Sequence, residues 1–126
     1  MTPLIITLQG LVRPKNNSKR KVMFGKKRSV LLSSIWFLEW HESAMIQLAQ
    51  GAYPRKKISN PISVKIQFML KDKRHRNLTN MTESVMDLLV DYGIIKDGRW
   101  QICRFVSMVG FGALEDSVKI TIEDIC

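Results

Sequence analysis

Alternation of hydrophobic and polar residues predicts three strands in this chain. Residues 4–8 form a short β-branched run bounded by Pro3 and Gly10, which is typical of a strand. Residues 62–70 are apolar at every second position, and residues 118–122 alternate as V-K-I-T-I. A period of two predicts strands that each bury one face.

Two stretches have the spacing of an amphipathic helix. Ser33 or Ser34 is a suitable cap for a first helix that runs to about Gln50, with apolar positions at Ile35, Leu38, Met45, Leu48 and Ala49. For the second helix, Asn80 is the predicted N-cap and Glu83 stands at the spacing of a capping box. An apolar stripe follows at Met81, Val85, Leu88, Leu89 and Tyr92, and Gly93 is expected to end this helix.

The remaining segments complete a mixed α/β pattern. Residues 22–24 and 29–32 flank a basic tip and predict a hairpin, and residues 100–108 predict a further strand that ends at a turn marked by Gly110 and Gly112. The order is strand, hairpin, helix, strand, helix, strand, strand. We therefore expect one small α/β domain over residues 1–126, with a mixed sheet and two main helices.

Composition narrows the class of partner. Among 126 residues, 20 Lys and Arg stand against 11 Asp and Glu, giving a formal charge of +9. This excess favours a polyanion, because each neutralised phosphate releases counterions. There are 2 cysteines, too few for a disulfide scaffold, and a cytoplasmic setting is the default expectation. We expect no signal peptide and no membrane partner, since no apolar run approaches the roughly 18 residues of a membrane helix.

Several short motifs follow one another in a fixed order. A basic run precedes R-N-L-T-N, and V-M-D-L-L, Y-G-I-I and K-D-G follow. Before them come a strand, a P-K-N-N-S-K loop, a basic hairpin and a helix that contains tryptophan. This order resembles that of the RusA family of Holliday-junction resolvases, and the resemblance spans nearly the whole chain. It implies an α/β fold, a homodimer, and Mg²⁺-dependent cleavage of four-way DNA junctions.

The resemblance also implies which residues form the site. Catalytic and metal-binding positions map onto Asn77, Thr79 and Asp97, with Glu83 and Asp87 as further acids within reach of a displaced Mg²⁺ site. Asn77 and Gly98 stand where the family carries aspartate. Expected phosphate contacts are Lys71, Lys73, Arg74 and Arg76, aided by Lys15, Lys19, Lys26, Lys27 and Arg28.

Two other functions remain open at this point. Glu83 also fits a capping box, Asp87 a solvated helix face, and Asp97 a plain turn, so the fold can equally serve a non-catalytic module that binds DNA or a protein. An RNA-binding domain is disfavoured, because no exposed aromatic strand motif is evident. Our leading hypothesis is a RusA-type protein that binds branched DNA as a dimer, with weakened or lost nuclease activity.

Overall fold

The computed structural model describes residues 3–15, 20–24, 28–32, 35–72 and 74–125, with the backbone alone for 20–24 and 28–32. Within these ranges the chain forms six strands and two helices. They are β1 (Leu4–Gln9), β2 (Arg20–Phe24), β3 (Arg28–Leu32), α1 (Ile35–Gln50), β4 (Ile62–Leu70), α2 (Leu78–Tyr92), β5 (Cys103–Gly112) and β6 (Ser117–Asp124). The predicted mixed sheet with two main helices is confirmed. Ser33 and Ser34, the predicted caps of α1, lie outside the described residues.

Four strands form one sheet in the order β1-β6-β4-β5, and β2 and β3 form a separate antiparallel hairpin. In the four-stranded sheet β6 pairs antiparallel with both β1 and β4, whereas β5 pairs parallel with β4. A parallel pair needs a crossover connection, and α2 supplies it. The sheet therefore has β5 at one edge and β1 at the other.

One face of this sheet carries the core. Ile62, Val64, Ile66 and Phe68 of β4 are all buried, as the alternation predicted. The buried stripe of α1 differs from the predicted one and consists of Phe37, Trp40, Ala44 and Leu48. These positions keep a spacing of three and four, while Ile35 and Leu38 point to solvent. The helix was correctly predicted, and Leu48 is buried and Met45 packs against the core as expected, but the predicted core positions Ile35, Leu38 and Ala49 are exposed.

The predicted N-cap of α2 was also wrong. Asn77 caps the helix, with an extended backbone and a side-chain Oδ1 that accepts a hydrogen bond from the Asn80 amide at 3.2 Å. Asn77 and Asn80 are three residues apart and both suit a cap, so the local pattern alone does not choose between them. Gly93 ends the helix as predicted, with φ of 91° and its amide bonded to the Leu89 and Val90 carbonyls.

The boundaries of β5 differ from the predicted 100–108. The Ile102 and Cys103 amides both donate to the Arg99 carbonyl, which makes a tight turn and delays the strand until Cys103. Gly110 and Gly112 were predicted to mark a turn, but both lie inside the strand. Pairing with β4 continues as far as Leu70 opposite Gly112. This ladder outweighs the weak strand preference of glycine.

Candidate nucleic-acid interface

The connection between β4 and α2 carries a run of basic residues, and the acids Asp72 and Asp116 hold it in place. The Lys71 amide donates to Asp116 Oδ1 at 2.8 Å, and the Ala113 amide donates to the Leu70 carbonyl at 2.9 Å. The end of β4 is therefore tied to the turn that joins β5 and β6. This fixes where the basic run leaves the sheet.

Asp72 organises the arginines that follow it. Its Oδ1 accepts from the Arg74 amide at 3.2 Å, and its Oδ2 accepts from Arg76 Nη2 at 2.9 Å. Desolvation acts to raise the pKa of Asp72, but these hydrogen bonds and the charges of Arg76 and Arg74 together hold that pKa below its ordinary value. The carboxylate therefore stays ionised and keeps the connection folded around it.

The two arginines have different surroundings. The Arg74 side chain is 81% exposed, and its Nε lies 4.0 Å from Asp72 Oδ2. The Arg76 side chain is 20% exposed. Arg76 Nε is buried and has no hydrogen-bond partner among the described residues. Lys71 and His75 are exposed beside them. Arg74 and Lys71 thus offer solvent-exposed charges, while the Arg76 guanidinium is held by Asp72.

The N-terminus of α2 adds to the same positive region. Its first turn contains no acidic residue, and Thr79 there is exposed. The unpaired amides of a helix N-terminus and the helix dipole both favour anions. The basic connection and this helix end together form a surface that we call the α2 entry surface, made of Lys71, Arg74, Arg76 and the first turn of α2. Lys73 falls outside the described residues.

A second basic segment is docked onto the side of α2. Ser84 is fully buried; its Oγ donates to the Arg13 carbonyl at 2.7 Å and accepts from the Lys15 amide at 3.1 Å. The Lys15 ammonium then pairs with Asp87 Oδ2 at 3.1 Å. Lys15 and Asp87 are therefore each other's partners. Lys19, Lys26 and Lys27 lie outside the described residues, as does the side chain of Arg28.

The residues that the resemblance assigns to a metal do not meet in one chain. Asn77 lies at the N-terminus of α2, and Asp97 follows Gly93 at its C-terminus. A helix of 15 residues is about 22 Å long. The Ile62 amide also bonds the Ile102 carbonyl, so the segment after Asp97 lies at the start of β4, while Asn77 follows the end of that strand.

The oxygens of these residues are also engaged elsewhere. Asn77 Oδ1 caps α2, Asp87 pairs with Lys15, and the Asp97 carboxylate accepts from the Arg99 amide at 2.9 Å and pairs with Arg99 Nε at 3.0 Å. Glu83 is exposed on α2. Within the described residues, no group of three or more His, Cys, Asp or Glu is arranged to hold a metal ion. The donor set therefore does not fit Mg²⁺ in a single chain.

Asp97 has a second neighbour in Cys103. The thiol lies 3.9 Å from the Asp97 carbonyl oxygen. Burial, together with the charge of Asp97, raises the pKa of Cys103. The protonated thiol at this position is a packing group rather than a nucleophile.

Sequence reasoning missed two features of the surface. One is the pair of acids, Asp72 and Asp116, whose hydrogen bonds hold the basic connection. The sequence hints at the role of Asp72 alone, because it is an acid at the second position of a basic run. The other feature is a pair of solvent-exposed rings on β5, Phe105 and Phe111. Which side of the sheet these rings lie on depends on where β5 begins, and the sequence did not reveal that position.

The sequence matches no protein-family model and no curated protein. The resemblance to the RusA family therefore rests on the order of its short motifs. None of the helices in the described part of the chain is long and apolar enough to cross a membrane.

Proposed function

We propose that this protein binds branched DNA through the α2 entry surface. The observation that carries the proposal is that Lys71 and Arg74 are exposed on the connection before α2, while Asp72 holds the Arg76 guanidinium beside them. Phosphate oxygens form charge-assisted hydrogen bonds with side chains of this kind.

The charges around Arg76 support the same ligand. Arg74 and Lys71 are exposed beside it, and the α2 N-terminus adds a positive end without a nearby acid in the first turn. The formal charge of +9 attracts a polyanion over a longer range. Phosphate contacts of this kind position a protein on DNA and are independent of sequence.

The proposal is for binding without metal-dependent cutting. Asn77 and Asp97 are separated by the length of α2, and their oxygens already have partners. A homodimer belongs to the proposal, because two copies of the α2 entry surface related by a two-fold axis suit the symmetry of a four-way junction.

Fluorescence anisotropy with a labelled four-way junction and a duplex of the same sequence tests the binding. We expect Lys71→Ala with Arg74→Ala to make the slope of log K against log salt shallower by about 1.8, since each phosphate contact contributes about 0.9. Lys56→Ala with Lys96→Ala is the matched control, because it removes two exposed charges beyond the other end of α2. Equal losses in both variants would refute a localised site.

Cleavage is tested with the same junction in Mg²⁺, in Mn²⁺ and in chelator. We expect binding in all three conditions and no cutting in any. Metal-dependent cutting that Asp97→Asn abolishes would contradict the proposal and restore the nuclease hypothesis. Sedimentation equilibrium with and without the junction tests the homodimer.

A further inference from the structure

The face of the sheet opposite the helices carries aromatic rings and lysines in adjacent rows. On β5 the side chains of Phe105, Val109 and Phe111 are exposed, the two rings by 65% and 44%. Lys65 of β4 and Lys119 of β6 are exposed on the neighbouring strands. We call this surface the open face.

A β-bulge places Phe105 on the open face. Ile62 pairs with Cys103 and Ser63 pairs with Phe105, so Arg104 is the extra residue of β5. Ile62 and Cys103 both point into the core, and the next pair therefore points outward. Without the bulge, Cys103 and Phe105 would share one side of the strand.

Alternation along β5 then brings Phe111 to the same side. Gly110 faces the core, because a Cβ built there would lie 3.5 Å from Leu70 and 3.6 Å from Leu78. Met108 also packs against the core cluster. The residues between them and after them, Val109 and Phe111, consequently face solvent.

Lys65 lies on β4, the strand next to the rings, and Lys119 lies one strand further away on β6. Lys65 is opposite Ser107 on one side and Thr121 on the other, and Lys119 is opposite Gln67. Neither lysine forms an ion pair within the described part of the chain. The acid that these strands contribute to the open face is Glu123, opposite Ser63.

We propose that the open face binds single-stranded nucleic acid, with bases stacked on Phe105 and Phe111 and phosphates held by Lys65 and Lys119. Rings stack on any base, and four-stranded sheets with exposed aromatic residues are a recurrent platform for unpaired strands. A second copy of the chain fits this face less well. Two open faces packed together would bring the lysines of both copies into a dry interface.

The dimensions of the open face set the length of the ligand. Six residues separate the two rings, which is about 20 Å along a strand. At about 3.4 Å for each stacked nucleotide, the rings span roughly six nucleotides. Phe111 is opposite Met69, close to the point where β4 leads into Lys71. A bound strand would therefore pass from the open face towards the α2 entry surface. Binding at the open face uses other side chains than the α2 entry surface, so it does not depend on the proposed function.

Anisotropy with a labelled twelve-nucleotide oligothymidine tests the inference on the full chain. Phe105→Leu with Phe111→Leu keeps apolar side chains and removes both rings, and we expect about a tenfold loss of affinity for each ring. Trp36→Leu is the matched control, because it removes a ring that is 59% exposed on α1, away from the open face. We expect Phe105→Trp to retain binding, and each of Lys65→Gln and Lys119→Gln to reduce the salt slope by about 0.7.

Two results would overturn the inference. One is unchanged oligothymidine affinity in the double leucine variant whose circular dichroism matches the natural chain. The other is a switch from dimer to monomer in that variant with no loss of oligothymidine binding, which would make the open face a surface for a second copy. The variant Lys71→Ala with Arg74→Ala separates the two proposals. If it loses junction binding but still binds oligothymidine, the two ligands use different surfaces.

Discussion

Replacing Ser84 with alanine removes the group that ties the segment before β2 to α2. The hydroxyl is fully buried and makes two hydrogen bonds, to the Arg13 carbonyl at 2.7 Å and from the Lys15 amide at 3.1 Å. Leaving a buried backbone group unpaired costs about 1–3 kcal/mol. Arg13 and Lys15 are only half-buried, so water would replace part of what is lost. We expect a loss of about 1.5 kcal/mol.

The corresponding shift in melting temperature follows from the chain length. Unfolding entropy of about 2.1 cal/mol/K for each residue gives roughly 4 °C for each kcal/mol in a chain of this size, so Ser84→Ala should melt about 6 °C lower. Ser43→Ala is the matched control: it lies in the interior of α1, is exposed, and shares the helix-propensity gain of a serine-to-alanine change. The assay is thermal unfolding by circular dichroism, with urea unfolding to check that the m-value is unchanged. Equal melting of the two variants would refute the tether.

Four further outcomes are expected. Arg76→Ala should lower the melting temperature because it breaks the pair with Asp72, whereas Arg74→Ala should leave melting unchanged and weaken junction binding; both are measured by differential scanning fluorimetry and anisotropy. The pKa of Asp72 is lower in the folded chain than in the unfolded chain, so its carboxylate stabilises the fold. This stabilisation is complete above the unfolded pKa of about 3.9 and is lost as the pH falls through the folded pKa. The difference in melting temperature between the natural chain and Asp72→Asn should therefore shrink in acid. Gly93→Ala should lower the free energy of unfolding by about 1 kcal/mol, read from urea curves, since φ is 91° and the left-handed region strains a residue that has a Cβ. Alkylation of Cys103 at pH 8, followed by peptide mass spectrometry, should be slower in the folded chain than in urea because burial raises its pKa.

The sequence predicted those parts of the fold that local periodicity determines. β4 shows this best, because its alternation holds from Ile62 to Phe68 and the four apolar positions in that stretch are all buried. The start of β5 was not predictable in this way. It depends on the turn at Arg99 and on the bulge at Arg104, and both are set by pairing with Ile62 far earlier in the chain.

For the candidate site, too, the sequence predicted one part and not another. The basic run before α2 is visible in the sequence, and it lies on the surface as a charge run should. Arg76 is partly buried and the Arg74 side chain is exposed because of how Asp72 bonds each of them, and that arrangement exists only in the folded loop. The distance between Asn77 and Asp97 also needs the topology. Twenty residues in sequence do not reveal that a whole helix separates them.

The strand order has a consequence for how the chain folds during synthesis. β6 lies between β1 and β4, so β1 has no partner in this sheet until β6 has been made. β4 likewise waits for both of its neighbours, because β5 and β6 follow it in the sequence. Sheets built from such distant pairings fold slowly, and their unpaired strands are exposed to association in the meantime. A nascent chain that stops before Ser117 lacks the strand that pairs with both β1 and β4, so we expect β1 to be more open to proteolysis at that stage than in the full chain.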